Sequence, residues 1–248
     1  MDVGNSSAKA YGCGIEGAAG MACLGLLELE DWSALGALPA PRAVLVSSVA
    51  GDELTAAWTT RLGGLWPAQP ELLVNPDSGL ELRIKHPETV GADRLFAARG
   101  ALARLGRSAI VVDAGTALTV DVLLVEGGRG IFLGGAIAPG PALLAQALGR
   151  GGARLHEINP QPGAPALGRE TAAALEAGVV VGFEGAALEL VRRVAAEAQL
   201  EAAPVLLAGG AAVFLREVLE RTGGELLEAE TLVAEGLAAA WSDRCARP

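Results

Sequence analysis

The sequence predicts an α/β protein made of two related halves, and three observations predict it. Short β-branched runs alternate with longer helical patterns along the chain. An Asp-x-Gly turn at Asp2 is echoed by a second at Asp113. Of the 248 residues 51% are apolar and 19% charged, enough apolar mass for a sizeable core and too little charge for a disordered chain.

Asp2-Val3-Gly4-Asn5-Ser6 reads as a strand end and tight turn, with Lys9-Ala10-Tyr11-Gly12-Cys13 as the returning strand. Ala43 to Val49 is a β-branched run ahead of a helix-like stretch, Asp52 to Leu65. Proline and glycine bracket a polar loop from His86 to Arg94, and an alanine-rich helix follows from Leu95. Ala109 to Asp113 reads as a buried strand and Leu118 to Val125 as the next, joined by Ala114-Gly115-Thr116-Ala117. Glu126 to Gly130 turns into a third strand, Ile131 to Leu133, followed by the glycine pair Gly134-Gly135. Helical patterns cover Pro141–Leu148, Arg169–Arg193 and Ala212–Thr222, and Pro204–Ala208 is a strand ended by Gly209-Gly210.

The echo is the pattern Asp, any residue, Gly, Asn or Thr, small residue, each time within strand, turn and returning strand. It predicts two related half-domains, 1–107 and 108–248, with their turns facing one another. Either pentapeptide alone recurs by chance; the pair is what carries weight. An Asp at a strand end before glycine and a short hydroxyl or amide suits phosphate, because glycine lets backbone N–H groups approach phosphate oxygens. The carboxylates themselves repel phosphate and need a cation between, usually Mg²⁺.

Other chemistries are disfavoured. Gly12-Cys13-Gly14-Ile15-Glu16-Gly17 matches a dinucleotide fingerprint, with Asp31 at a tolerable distance, but the glycine-broken stretch after it reads as a hairpin turn and not a helix. The sequence contains neither a P-loop nor a G-x-S-x-G elbow. The net charge of −10 argues against nucleic acid and anionic membranes, and Arg192-Arg193, the only adjacent basic pair, reads as a solvated helix face. No uncharged apolar run reaches the roughly 18 residues of a membrane span. The amino terminus lacks the basic residues and apolar core of a signal peptide. Three cysteines without metal spacing read as the reduced thiols of a cytoplasmic protein. Cys13, Cys23, Trp32, Trp58, Trp66 and Trp241 read as packing residues, and His156 as structural.

At the start of the helix after the polar loop, the dipole helps hold Asp93 ionised, as a base must be, and Arg94 can grip a carboxylate bidentately. On this segment alone the plain alternative, an N-terminal Asp beside a surface Arg, is the stronger reading.

Taken in order, the motifs are specific. They are Asp2-x-Gly4-Asn5-Ser6-x-x-Lys9, Ser47-Ser48-Val49, Pro87-x-x-Val90-Gly91-Ala92-Asp93-Arg94 and Val112-Asp113-x-Gly115-Thr116-Ala117-x-Thr119-x-Asp121. Gly134-Gly135-x-Ile137-x-Pro139-Gly140, Gly168-x-x-Thr171 with Gly178, and Gly209-Gly210 complete the series. This series resembles the type III pantothenate kinases of the acetate and sugar kinase, Hsp70 and actin superfamily.

The resemblance implies two ribonuclease-H-like (actin-like ATPase) half-domains with a nucleotide cleft between them. It implies phosphorylation of pantothenate by ATP with Mg²⁺, the first step of coenzyme A synthesis, with Asp93 as general base. ATP would contact Asp2, Gly4, Asn5, Ser6, Lys9, Gly115, Thr116, Gly134 and Gly135. Pantothenate would contact Ile84, Gly91, Ala92, Arg94 and Thr171, and Asp113 would bind a monovalent cation, K⁺ or NH₄⁺. Family members are homodimers whose pocket is completed across the interface.

Three departures bear on these expectations. Only Met1 precedes Asp2, where the family has four or five apolar residues, so the expected start lies upstream. Ile84 stands where a tyrosine is usual, and Arg150-Gly151-Gly152 where a polar threonine or histidine is frequent. Two rivals follow: an accessory, non-catalytic relative of the kind named for transcription, and a kinase for another small hydroxylated substrate.

Overall fold

The computed structural model describes residues 1–4, 8–12, 22–27, 33–151 and 158–246. They form two units: residues 1–107, 124–132 and 231 onward in one, and 108–123 and 133–230 in the other.

The first unit opens with β1 (Asp2–Val3), β2 (Ala8–Gly12), β3 (Ala22–Leu27), a short α1 (Ser33–Gly36), β4 (Val44–Ser48), α2 (Asp52–Gly63) and β5 (Pro70–Leu72). Its sheet has the order β3-β2-β1-β4-β5. β1 runs antiparallel to β2, with Asp2 opposite Lys9, and parallel to β4, with Asp2 opposite Ser47. Alternate residues turn inward: Ala8 and Ala10 of β2 and Val44 and Val46 of β4 are buried, while Lys9 and Leu45 are not. α2 carries Asp52 and Glu53 in its first turn and Arg61 in its last, matching the helix dipole. It lays Trp58 and Leu62, one turn apart, onto Val3, Ala8 and Val46. β2 pairs antiparallel with β3, in keeping with the predicted hairpin; its turn lies outside the described residues, as do Cys13 and Trp32.

A 3-10 turn over Asn75–Ser78, β6 (Glu81–Leu82) and a second 3-10 turn over Pro87–Thr89 lead into α3 (Ala92–Leu105), which Gly106 closes in the left-handed conformation at φ 62°. Leu95 and Ala98 of α3 pack on Phe132, with Ile84 and Val90 beside them.

Next come β7 (Ala109–Ala114), β8 (Ala117–Glu126), β9 (Arg129–Pro139), α4 (Pro141–Gly151), α5 (Thr171–Glu197), β10 (Val205–Ala208), α6 (Ala212–Glu220) and β11 (Leu226–Glu228), of which the second unit holds all but residues 124–132. β7 is buried on both faces, as its unbroken apolar run predicts. It pairs antiparallel with β8, with Asp113 opposite Thr119, and parallel with β10, with Asp113 opposite Ala208. The order β9-β8-β7-β10-β11 matches that of the first sheet, and β6 adds a sixth strand beside β9, with Glu81 opposite Ile131. Ile110, Val112, Leu118 and Val120 meet Phe183, Ala187 and Val191 of α5 and Leu215 and Leu219 of α6.

The sequence reading stops the third strand of this unit at Leu133 and treats Gly134-Gly135 as a turn after it. The structure instead carries β9 through both glycines to Pro139. A Cβ on Gly135 would overlap the carbonyl of Val120, so β8 passes too close for any larger residue.

The chain returns to the first unit in α7 (Leu232–Ala246), which crosses α3 at two glycines. A Cβ on Gly100 would overlap the carbonyl of Leu232, and one on Gly236 the carbonyl of Phe96. Beside the crossing Glu235, 3% exposed, accepts from Thr231 Oγ1 and from Arg104, whose Nε stands 3.0 Å from Oε2. Arg104→Ala leaves that carboxylate buried without its cation and is expected to cost about 2–4 kcal/mol. Arg83→Ala, which breaks solvent-exposed pairs to Glu81 and Glu126, is expected to cost at most about 1 kcal/mol. Urea unfolding of the two variants checks the contrast. Among the described residues no helix is long and apolar enough to cross a membrane.

Candidate functional site

In the first unit the polar loop ends at the amino terminus of α3. Gly91, extended at φ −61° and ψ 136°, precedes the helix and brings it no capping side chain. A Cβ there would overlap Asp93 Oδ1, so only glycine leaves the carboxylate its place. Asp93 Oδ1 accepts from the Arg94 amide at 2.8 Å. Burial pushes the Asp93 carboxyl above its ordinary range, opposed by the Arg94 amide and guanidinium. Desolvation outweighs the opposing amide and guanidinium, so the ionised carboxylate is a stronger base than a solvated one. The Arg94 guanidinium lies 5.6 Å from the centroid of the Phe132 ring.

The loop before Gly91 is tied down. Thr89 donates twice to the His86 carbonyl, through its amide at 3.1 Å and its hydroxyl at 2.8 Å. Asn75 Nδ2 donates to the carbonyls of Val90 at 2.8 Å and Pro87 at 3.4 Å. Next to this loop a groove of about 520 Å³ opens at the carboxyl ends of β4 and β5, lined by Ser48, Val49, Thr55, Asn75, Thr89 and Gly91 among others. Ser48 Oγ and Thr55 Oγ1 share a hydrogen bond of 2.7 Å on its wall. Ile84 packs in the Leu95–Phe132 cluster, and Ala92 is buried. At the β1 turn, Asp2 and Lys9 face each other across the ladder with Gly4 beside them; Asn5 and Ser6 lie outside the described residues, as does His156.

In the second unit three connections converge on the end of β7. The Gly115 amide donates to the Ala117 carbonyl at 2.9 Å, and the Gly140 amide to the Thr116 carbonyl at 3.0 Å. The Ala211 amide reaches the Ala114 carbonyl at 2.7 Å. Gly209 takes φ 94°, open to glycine almost alone, and a Cβ on it would overlap both the Ala114 carbonyl and Asp113 Oδ1. Asp113 Oδ1 and the Ala114 carbonyl thus stand together at the Gly209 turn, hard oxygens of the type that a large monovalent cation takes. Thr116 is exposed at its rim, and Thr171 is exposed at the first position of α5. Gly134 and Gly135 sit within β9, away from any turn of their own.

Asn75 and Thr55 carry no motif as site residues, since their partners are remote or lie across a turn; Ser48 stands in the Ser47-Ser48-Val49 motif. Gly140 and Gly209 were legible as glycines just past strands.

A model described as "Type III pantothenate kinase" matches residues 1–193. A curated type III pantothenate kinase of Thermus thermophilus is 40% identical over 191 residues, 76% of this chain and 73% of that protein. That of Thermomicrobium roseum is 40% identical over 155 residues, 60% of this chain and 58% of the relative. The chain therefore spans a little under two thirds of the length of some curated relatives it matches. Among solved structures, a Campylobacter jejuni protein assigned to the Baf family of transcriptional activators is 20% identical with a TM-score of 0.62, covering 98% of this chain and 97% of its own. A Sinorhizobium meliloti protein assigned as a 2-dehydro-3-deoxygalactonokinase is 18% identical with a TM-score of 0.54, covering 98% and 96%. These likenesses show the fold, a two-sheet α/β architecture shared with both proteins.

Proposed function

The chain belongs to the type III pantothenate kinase family, and from that premise we propose that it transfers the γ-phosphoryl group of ATP to the primary hydroxyl of pantothenate. The product is 4'-phosphopantothenate, and the step is the first of coenzyme A synthesis. The observation that carries the reading is Asp93: a half-buried carboxyl of raised basicity at the head of α3, beside a groove large enough for a small substrate and lined by Gly91 and Ala92.

Asp93 accepts the hydroxyl proton as the oxygen attacks the γ-phosphorus and the bond to the ADP oxygen breaks. Gly91 and Ala92 line the approach, Ile84 supplies an apolar contact, and Arg94 faces the substrate carboxylate. Asp2, Gly4, Asn5, Ser6, Lys9, Gly115, Thr116, Gly134 and Gly135 serve ATP, the glycines by letting backbone come close. Asp113 would hold K⁺ or NH₄⁺ at the turn beside Gly209, while Mg²⁺ with the nucleotide would offset phosphate charge. With most of the chemistry being placement and charge neutralisation, the chain needs no covalent intermediate.

We take the functional halves as 1–107 and 108–248 and the protein as cytoplasmic and homodimeric. Exposed Ile137, Leu148 and Val181 support the dimer, and Thr171 would then complete a partner's pocket. The test is ADP release by purified protein with and without pantothenate, in K⁺ and in Na⁺. Release that requires pantothenate and is faster in K⁺ is expected. A folded protein that releases no pantothenate-dependent ADP would favour an accessory role.

A further inference from the structure

We propose that Asn75 is a positioning residue of this site: its amide holds the Pro87–Gly91 approach to α3 and so sets where the Asp93 carboxylate stands. The inference rests on the phosphoryl transfer proposed above and adds a residue to it.

One amide nitrogen serves two carbonyls, those of Val90 at 2.8 Å and Pro87 at 3.4 Å. A neutral double donor of this reach is what two carbonyl oxygens require, and a carboxylate in its place would repel both. The 3-10 turn that presents Asn75 is itself tied: the Val74 amide donates to Asp77 Oδ2 at 2.8 Å, and Ser78 Oγ, on a residue 1% exposed, donates to the Asn75 carbonyl at 2.8 Å. A rigid turn thus grips a loop whose last residue, Gly91, lies against Asp93 Oδ1 with no room for a Cβ. Any displacement of the loop passes directly to the carboxylate. A misplacement of about 1 Å at a reacting group is enough to cost about a hundredfold in rate.

Three proteins test this: the wild type, Asn75→Asp, which keeps the shape and removes the donor, and Ser78→Ala, which loosens the same turn and leaves the donor. Each is measured for kcat, for KM of pantothenate and of ATP, for thermal midpoint, and for hydrogen exchange of the segment 87–93. Asn75→Asp is expected to lose kcat by about 10–100-fold with KM for ATP within about twofold of wild type. Its 87–93 segment is expected to exchange about tenfold faster. Ser78→Ala, which keeps the Asn75 donor, is expected to lower the thermal midpoint and to change kcat and exchange over 87–93 by at most about threefold, well short of Asn75→Asp. Asn75→Asp with kcat within about twofold of wild type, or with a loss matched by Ser78→Ala, overturns the proposal. A folded wild type that phosphorylates no pantothenate refutes the functional reading and, with it, a catalytic purpose for Asn75. The exchange comparison judges the grip on the loop separately.

Discussion

Asp93→Asn is expected to fold as the wild type does and to lose about 10²–10⁴-fold in kcat, with KM for ATP nearly unchanged. The magnitude is that of removing a positioned base from the transition state. The stability side has a definite sign. The folded carboxyl has a raised pKa because burial disfavours its charge. The folded state therefore holds its proton to higher pH than the unfolded chain does. The charged form destabilises the fold as pH rises from the ordinary carboxylate range through the raised value, and that cost is fully present above it. Asn carries no such charge, so Asp93→Asn is expected to be as stable as the wild type or more so at pH 7. Loss of turnover with retained or improved thermal stability is the signature of a removed base. The pH dependence of wild-type kcat/KM should show its acidic limb above the ordinary aspartate range. A limb at or below that range, or wild-type turnover in the Asn variant, argues against Asp93 as the base.

Gly236→Ala is expected to lower stability by about 3 kcal/mol, a midpoint shift of about 6–12 °C. The added Cβ would overlap the carbonyl of Phe96, which is part of the α3 backbone and cannot swing aside as a side chain does. Either α7 lifts from α3 or both helices distort, and the Glu235–Arg104 pair loses its geometry. Because α3 begins at Ala92, the same change should lower kcat as well. Gly185→Ala makes the control. Gly185 lies within α5, a Cβ on it meets nothing within 4 Å, and it should gain about 0.5–1 kcal/mol from helix propensity. Chemical denaturation of both variants decides the matter; equal effects would mean that the helix crossing is looser than described.

The fold class was legible because the decisive segments declare themselves locally. Ala109–Val112 is unbroken apolar sequence buried on both faces, and short strand runs alternate with helical patterns along the chain. What was not legible depends on neighbours. In α7 six consecutive residues, Leu232 to Leu237, are buried, so no apolar stripe betrays a helix, and Gly236 in its middle reads as a breaker. β5, β6 and β11 are two or three residues long and exist by pairing alone. Gly134 and Gly135 read as a turn because the reason for them, the Val120 carbonyl at their side, belongs to another strand.

The site divides the same way. Asp93, Arg94, Asp113 and Thr116 stand in motifs and were found from them. The raised basicity of Asp93 was not, since burial is a tertiary property and acts against what the helix end alone suggests. Asn75 escaped for a related reason: Val74-Asn75-Pro76-Asp77-Ser78-Gly79 is ordinary turn sequence, and its carbonyl partners lie 12 and 15 residues away.

The most direct measurement is mass spectrometry of pantothenate incubated with ATP, Mg²⁺, K⁺ and the purified protein, in parallel with Asp93→Asn. The account predicts one phosphoryl group added at the primary hydroxyl by the wild type, and almost none by the variant. Unmodified pantothenate from a folded, ATP-binding wild type, or equal product from both proteins, would contradict it.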